Sequence, residues 1–249
     1  KSALLARIVG RNQILGFRAE RFKEKGTGWF YSHRQEGESD LNQHVINSNL
    51  ELIEQLVGKD APSALIPFQI PIEDRNYVEK KLSTAEVKHP ILINPGAGWV
   101  TKLWPASDYG RLARMIRERL GLPVVVTFGP GEEDLVEKMR REAGKTTLTA
   151  FPTSILQLAA LCCCSRLMVA GDSGPLHLAV SVGTPTVAIL GPTAAARNGP
   201  YSKEDGVVKR NLPCSNSYKR TCNKFICMDI LPETVFDAVG TRLALTTRT

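Results

Sequence analysis

The part of the sequence from residue 90 onward alternates short apolar runs with amphipathic stretches, and this alternation constrains the fold more than any other feature. The apolar runs are predicted strands: Ile91–Asn94, Leu122–Phe128, Thr147–Ala150, Arg166–Ala170 and Thr186–Leu190. The stretches between them are predicted helices: 107–120, 132–143, 154–163 and 175–182. Strands and helices that alternate at these lengths form a parallel sheet with helices on both faces. The sequence therefore predicts an α/β fold, whose ligands bind beyond the carboxyl ends of the strands.

The first 89 residues lack this alternation and divide into two parts. Residues 1–58 have a basic start, a polar middle and a partly helical pattern, and apolar residues recur near helical spacing over Val45–Val57. Residues 71–89 follow several prolines and carry many charges, so we interpret them as a linker. The chain starts with Lys1 inside an apolar pattern, and we expect that an upstream segment is missing. We predict a partial N-terminal domain over 1–70, a linker over 71–89 and a C-terminal domain over 90–249.

Positive charge is concentrated at the start of the chain. Residues 1–34 hold eight lysines and arginines against two glutamates, which accounts for +6 of the net charge of +7. Such a patch attracts anionic partners, although a solvated surface can have the same composition. The chain has no recognised nucleic-acid-binding motif and no apolar run near the ~20 residues that span a bilayer. We therefore expect neither a nucleic-acid-binding protein nor a transmembrane one.

Six cysteines form two groups. Residues 162–164 are consecutive cysteines in an apolar helical stretch, which is typical of small buried side chains. Cys214, Cys222 and Cys227 are separated by basic residues. Zinc usually takes four ligands in tighter pairs, so buried or loop thiols are favoured over a metal site. A chain this long can bury a core without disulfides, and we expect thiols in a reducing, cytoplasmic environment.

A glycine-rich loop follows the first predicted strand. Gly96 and Gly98 allow the backbone to approach a ligand closely, and Thr101 and Lys102 then supply a hydroxyl and a cation. The Gly-Lys-Ser/Thr sequence of a Walker A loop is absent. The loop is either a phosphate-binding turn or an ordinary glycine turn that carries a surface lysine.

The second predicted strand also ends in glycines, and Glu132 follows them. A glutamate at this position favours a helix N-terminus because it complements the helix dipole. Its carboxylate could instead accept hydrogen bonds from the hydroxyls of a ribose or another sugar. Both interpretations remain open at this point.

The fourth predicted strand ends in the turn Asp172-Ser173-Gly174, and Pro175 opens the next helix. The free amides and the dipole of a helix start form an anion site, to which Ser173 and Gly174 can contribute. Asp172 either contacts a ligand or caps the helix. His177 either belongs to this site or is a core histidine. A catalytic Ser-His pair is disfavoured because the strained G-x-S-x-G elbow is absent.

These motifs together resemble those of glycosyltransferase family 9, the ADP-heptose:lipopolysaccharide heptosyltransferases. The resemblance covers about residues 90–240 and is carried by four segments in the same order: 94–105, 172–179, 183–185 and 191–193. The cysteine-bearing stretch Cys214–Cys227 is similar to the tail of that family. Residues 1–3 and 16–18 resemble the later part of its N-terminal domain.

The resemblance implies a GT-B fold, in which two Rossmann-like domains face each other, and inverting transfer of heptose from ADP-heptose to the lipopolysaccharide inner core. It places Lys102 at the donor diphosphate, with Thr101 beside it. It places the turn at 172–174 and His177 in the same donor pocket, and Glu132 at the nucleoside.

The resemblance also shapes what we expect of the catalytic base, metal ions and the acceptor. The family's general base is an aspartate in the first strand–loop–helix of its N-terminal domain, and nothing in 1–249 matches it, so the catalytic base is unassigned. No metal or other cofactor is expected. Arg18 and Arg21 are predicted to face the anionic acceptor, and peripheral association with the inner membrane is compatible with such an acceptor. Alternatives are a donor-binding fragment without turnover and a GT-B transferase that uses another nucleotide sugar.

Overall fold

The computed structural model describes residues 2–9, 14–17, 26–35, 42–58, 69–144 and 148–246. The chain forms two compact units, Lys1–Ile66 and Pro67–Thr249. We call them unit 1 and unit 2 and describe each by itself. No helix among these residues is both long enough and apolar enough to cross a membrane.

Unit 1 combines short helices with a small parallel strand pair. Its elements are α1 (Ser2–Ile8), β1 (Leu15–Gly16), a 3₁₀ helix (Thr27–Phe30), β2 (His33–Arg34) and α2 (Val45–Val57). Strand β1 pairs with β2 in parallel. Gly16 packs so closely on the ring of Tyr31 that a Cβ atom at this position would collide with it. The helix predicted over 45–57 is confirmed, whereas Arg18 and Arg21 lie outside the described residues and their acceptor role stays a prediction.

Unit 2 is built on a six-stranded sheet in which every neighbouring pair is parallel. Its strands are β3 (Ile91–Asn94), β4 (Val124–Phe128), β5 (Leu148–Pro152), β6 (Leu167–Gly171), β7 (Thr186–Leu190) and β8 (Gly206–Lys209). Their order across the sheet is β5-β4-β3-β6-β7-β8. The first five strands are the predicted ones, so the α/β prediction is confirmed. Strand β8 escaped sequence analysis because only two apolar residues separate its glycine from its lysine.

Helices cover both faces of this sheet. They are α3 (Ile72–Thr84), α4 (Ala106–Met115, continued by a π turn over Ile116–Leu120), α5 (Glu133–Ala143), α6 (Ile155–Cys163), α7 (Gly174–Ser181), the short α8 (Ala195–Asn198) and α9 (Pro232–Thr246). One core packs α4, α5 and α9 on Ile91 and Ile93, and the other packs α3, α6 and α7 on Leu92. Side chains alternate between the faces of a strand, which explains why successive residues of β3 enter different cores.

The linker interpretation of residues 71–89 is wrong. Helix α3 occupies most of that range, and its Val78 and Leu82 are 0% and 7% exposed in the core shared with α6 and α7. These two residues stand four positions apart and lie on one helix face. The charged residues that suggested a linker cover the solvent side of α3, so the apolar stripe was narrow and easily overlooked.

The strand order places a crevice at one point of the sheet. The chain runs outward from β3 through β4 to β5, and it returns to β6 on the other side of β3 before running through β7 to β8. Sheets of this doubly wound order bind ligands beyond the carboxyl ends of the strands where the order reverses. In unit 2 this position lies between the ends of β3 and β6.

Candidate functional site

A cavity of about 610 Å³ opens at the carboxyl ends of β3, β4, β5 and β6. Its walls come from the loops that follow these four strands and from the first turn of α7. The lining residues are Asn94, Gly96, Ala97, Gly98, Lys102, Thr127, Phe128, Gly129, Pro130, Glu132, Thr153, Ser154, Ile155, Leu158, Asp172, Ser173, Gly174, Pro175 and His177. Six of the seven residues predicted to bind substrate therefore lie at one cavity.

An ion pair joins the two loops that sequence analysis expected to converge. Lys102 Nζ lies 2.8 Å from Asp172 Oδ2 and donates a hydrogen bond of 3.2 Å to the main-chain oxygen of Asp172, although the residues are 70 positions apart. Their side chains are 12% and 5% exposed. The predicted meeting of the lysine with the Asp-Ser-Gly turn is thus confirmed, and the lysine is not a free surface group.

The carboxylate of Asp172 is held in its charged form. Burial alone would raise its pKa, but the side chains of His177, Lys102 and Thr193 and the charge of Lys102 outweigh burial. The pKa of Asp172 is therefore lowered from its ordinary value of 3.8. Asp172 and Lys102 form a buried pair of opposite full charges at neutral pH.

The start of α7 borders the cavity through Ser173, Gly174 and Pro175. Ser173 is the N-cap residue, but its side chain makes no capping bond and donates to the main-chain oxygen of Gly171 at 3.3 Å. The alternative that Asp172 caps this helix is wrong, because the N-cap residue is Ser173 and the carboxylate of Asp172 pairs with Lys102 instead. The first-turn amides of α7 thus lack a side-chain cap and border the cavity, as an anion site requires.

His177 is a wall residue of the cavity rather than a core histidine. Its side chain is 35% exposed, and its Nε2 lies 3.8 Å from Asp172 Oδ1. The carboxylate of Asp172 therefore stands between Lys102 and His177. Both side chains are thus positioned by one buried carboxylate next to the N-terminus of α7.

Glu132 links the loops that follow β3 and β4. Its Oε2 accepts a hydrogen bond of 2.8 Å from the main-chain N–H of Gly129. A Cβ atom at Gly96 would collide with the same carboxylate, so this close approach requires glycine. Glu132 is the N-cap residue of α5, yet its side chain makes no capping bond and lines the cavity. Its position therefore favours the ligand-facing interpretation over the helix-start one.

Thr101 is the one predicted binding residue that the structure directs elsewhere. Its side chain is 1% exposed, does not line the cavity, and donates a hydrogen bond of 2.8 Å to the main-chain oxygen of Lys219. Thr101 and Lys102 belong to a 3₁₀ turn over Val100–Lys102, and consecutive side chains of such a turn point about 120° apart. Thr101 therefore fastens the loop, and Lys102 faces the cavity.

Three polar residues on the cavity floor were not predicted from the sequence. Asn94 Nδ2 donates to the main-chain oxygen of Thr127 at 3.1 Å, and the hydroxyls of Thr127 and Thr153 lie 2.6 Å apart. Asn94 and Thr127 are polar residues at the ends of otherwise apolar strands. That signal was present in the sequence, because the carboxyl ends of parallel strands meet at one edge of the sheet.

Two residues linked to Lys102, Trp99 and Arg220, were also not predicted from the sequence. Lys102 Nζ lies 4.2 Å from the ring centroid of Trp99, and Arg220 Cζ lies 4.8 Å from the same centroid. Cations at these distances are attracted by the electron-rich face of an indole ring. Trp99 therefore brings together a residue of the β3 loop and one of the cysteine-bearing stretch.

The cysteines are all free thiols. Burial raises the pKa of Cys227, whereas main-chain hydrogen bonds from Lys224 and Phe225 lower the pKa of Cys222. Over the described ranges, no group of three or more His, Cys, Asp and Glu side chains is arranged to hold a metal ion.

Residues 1–241 match the model of glycosyltransferase family 9 (heptosyltransferase). The chain belongs to glycosyltransferase family 9. The resemblance to this family that was inferred from the sequence motifs is therefore confirmed.

Relatives and solved structures agree with this assignment. The family 9 chain is 28% identical to lipopolysaccharide heptosyltransferase 1 of Pseudomonas aeruginosa over 224 aligned residues. The aligned region covers 89% of this chain and 60% of that protein. It therefore spans about three fifths of the length of this curated relative. A family 9 glycosyltransferase from Veillonella parvula superposes with a TM-score of 0.76 at 24% identity, over 97% of this chain and 70% of that one.

The E. coli heptosyltransferase WaaC, solved with ADP, superposes with a TM-score of 0.69 at 18% identity, over 97% of this chain and 69% of that one. At these identities the likenesses show the fold. The family 9 chain has the predicted GT-B type fold, with unit 2 as its Rossmann-like C-terminal domain.

Proposed function

We propose that the cavity of unit 2 binds ADP-heptose and that the enzyme transfers the heptose, with inversion, to the inner core of lipopolysaccharide. One observation carries the proposal: Lys102 and the uncapped start of α7 share one cavity at the switch point of a Rossmann-like sheet. A curated relative is named a lipopolysaccharide heptosyltransferase, and a structural neighbour was solved with ADP, which supports this choice of donor and acceptor.

The donor's diphosphate fits the end of the cavity that holds Lys102 and α7. Main-chain amides at a helix start donate hydrogen bonds to phosphate oxygens, and the helix dipole favours their charge. The carboxylate of Glu132 lies on the opposite loop, where it can accept hydrogen bonds from ribose hydroxyls. In this orientation the polar floor at Asn94, Thr127 and Thr153 lies under the nucleoside.

Transfer leaves ADP as the departing group, and negative charge grows on its diphosphate as the glycosidic bond breaks. A preorganised lysine and helix start stabilise that charge more in the transition state than in the ground state, typically by a few kcal/mol. We propose that they replace a metal ion in this role. The base that deprotonates the acceptor hydroxyl is not assigned to any residue of the described ranges.

The acceptor part of the proposal concerns the basic start of the chain. Inner-core Kdo carboxylates and phosphates are anionic, and Arg18 and Arg21 supply complementary charge. An acceptor carried on a lipid places the enzyme at the cytoplasmic face of the inner membrane as a peripheral protein.

The first test is calorimetric titration of ADP into wild-type protein and into the Lys102→Ala variant. We expect the Kd for ADP to rise about tenfold or more, since a charged hydrogen bond to phosphate is lost. The exposed Lys138 on α5 gives a matched control, and Lys138→Ala should bind ADP like the wild type. Because Asp172 loses its partner, thermal unfolding of each variant must show a folded protein. Unchanged ADP affinity in a folded Lys102→Ala variant would remove Lys102 from the site.

A second test separates the alternative functions. UDP and ADP are titrated in competition, and product formation is followed with ADP-heptose and a lipopolysaccharide core acceptor. Tighter binding of UDP than of ADP would indicate a transferase for another nucleotide sugar. ADP binding without product would indicate a donor-binding fragment without turnover.

A further inference from the structure

The stretch 214–227, which we call the cysteine-bearing segment, is fastened to the loops that follow β3 and β7. Lys219 accepts the hydrogen bond of Thr101 through its main-chain oxygen at 2.8 Å. Tyr218 donates its main-chain N–H to the oxygen of Pro192 at 3.0 Å and its hydroxyl to Asn198 Oδ1 at 2.7 Å. The segment thus bridges the loop after β3 and the loop after β7, both at the carboxyl end of the sheet.

Its backbone is held in an unusual conformation. Asn216, Tyr218 and Phe225 have φ angles of 64°, 54° and 44°. Residues with side chains rarely adopt the left-handed region, and such positions cost about 1–3 kcal/mol unless surrounding contacts enforce them. Positions of this kind cluster at binding sites, where they set the direction of particular side chains.

Arg220 is the side chain that this segment presents beside Lys102. The guanidinium carbon of Arg220 and the ammonium of Lys102 lie 4.8 Å and 4.2 Å from the ring centroid of Trp99. The distance between the two charges can be no larger than the sum of these two distances. This sum is shorter than the Debye length of ~10 Å at 0.1 M salt, so the two charges are not fully screened from each other. Trp99 thus keeps a second positive charge within the range at which it adds to the electrostatic potential around Lys102.

The charge balance of the cavity shows what Arg220 adds. Lys102 is paired with Asp172 at 2.8 Å, so the pair holds an oriented ammonium at the cavity but adds no net positive charge to it. The helix start contributes roughly half an elementary charge. No Asp or Glu within the described ranges forms an ion pair with Arg220, and residues 211–228 contain no acidic residue. Arg220 therefore offers the uncompensated positive charge that the Lys102–Asp172 pair lacks.

We propose that Arg220 is a second cationic contact of the donor's diphosphate, held in place by stacking on Trp99. The inference rests on the proposed function and adds a residue to its donor site. Arginine suits the task, because its planar guanidinium stacks on an aromatic face and still donates two parallel N–H groups to a phosphate. The ligand class is a nucleoside diphosphate rather than a nucleoside.

The experiment compares ADP and adenosine as ligands of wild-type protein, Arg220→Ala and Arg220→Lys by calorimetry at low salt. We expect Arg220→Ala to weaken ADP about fivefold, the effect of removing one partly screened charge near a multivalent anion, and to leave adenosine affinity unchanged. Arg220→Lys should recover part of the ADP affinity. The dependence of ADP binding on salt should become shallower in Arg220→Ala.

The control is Lys224→Ala, which removes an exposed positive charge from the same segment without touching Trp99. It should bind ADP like the wild type, and all variants should share the wild-type unfolding midpoint.

Three outcomes would overturn the inference. Equal losses of ADP and adenosine affinity in Arg220→Ala would mean that the residue only supports the loop. Unchanged ADP affinity with a raised acceptor KM would assign Arg220 to the acceptor. Wild-type protein that fails to bind ADP would overturn the proposed function as well, which distinguishes that failure from the other two.

Discussion

Asp172 contacts two other ionisable side chains that line the cavity of unit 2. Its carboxylate pairs with Lys102 at 2.8 Å and lies 3.8 Å from Nε2 of His177. The sequence alone suggested that Lys102 was unpaired and available to a ligand. In the structure, the buried carboxylate of Asp172 fixes the position of the lysine's ammonium. A buried ion pair stabilises the fold little in net terms, but removing one member leaves a charge without compensation. The pair is best understood as a device that positions the ammonium.

Asp172→Asn should destabilise the protein in a pH-dependent way. The pKa of Asp172 is lowered in the folded state, so its contribution is present above its ordinary pKa of 3.8 and is lost as pH falls through the still lower folded value. We expect a loss of about 2 kcal/mol at pH 7, since a charged hydrogen bond is weakened. The difference from wild type should stay constant down to about pH 5 and shrink below pH 4.

Urea unfolding of both proteins across this pH range measures the difference. Asp237→Asn, at an exposed position on α9, is the control and should follow the wild type at every pH. A difference that grows as the solution becomes more acidic would contradict the lowered pKa of Asp172.

At the scale of elements, the loops after the strands carry the chemistry and the helices behind them hold the strands in place. Helix α3 shows how a structural element can be hidden by its composition. Its exposed charged residues suggested a linker, yet Val78 and Leu82 are buried against α6 and the sheet. Helix α9 was also unassigned, and its buried Val235 and Val239 repeat the same four-residue spacing. An apolar stripe of two residues is sufficient to hold a helix in the core when the sheet opposite it is broad and apolar.

Val78→Ala tests whether α3 belongs to the core. Val78 is 0% exposed, and removing its two methyl groups should lower the free energy of unfolding by about 2 kcal/mol. Lys80→Ala, at an exposed position two residues away, should change it by less than about 0.5 kcal/mol. Denaturant unfolding of the two variants gives both values. Equal stability of Val78→Ala and wild type would restore the linker interpretation.

At the scale of the whole molecule, the proposed donor site and the proposed acceptor-binding charges belong to different parts of the chain. Every residue that lines the donor cavity belongs to unit 2. The excess positive charge lies in residues 1–34, within unit 1. The proposed enzyme therefore divides its two substrates between two units, and their contributions should be separable by mutation.

Charge reversal at Arg18 and Arg21 tests this division. The double variant Arg18→Glu, Arg21→Glu should raise the KM for the lipopolysaccharide core acceptor about tenfold, since two favourable charges become repulsive. Its Kd for ADP should equal that of the wild type. Steady-state kinetics of the full enzyme and calorimetry with ADP supply the two quantities. Parallel losses in both would show that the basic segment supports folding rather than acceptor recognition.

Much of unit 2 could be predicted from the order of residues alone. Strand and helix periodicity, the capping box at Ser154 and Gln157, and the glycine at the end of the α4 region all appear in the structure as expected. These features depend on residues within a few positions of one another. The family assignment followed from the same local motifs.

The tertiary structure decided which of those residues meet. Lys102 and Asp172 are 70 positions apart, Thr101 and Lys219 are 118 apart, and Arg220 reaches the ring of Trp99 from the same distant segment. Such contacts depend on the order of strands across the sheet and on the direction of each side chain within its turn. The sequence by itself determined five strands of unit 2, most of its helices and the glycine-rich and Asp-Ser-Gly motifs of the proposed donor site. It did not determine α3, α9, β8 or the polar residues of the cavity floor. Only the folded chain determined that Lys102 is paired, that Thr101 bonds to the loop at Lys219, and that Arg220 contacts the same ring as Lys102, because each depends on packing between distant segments.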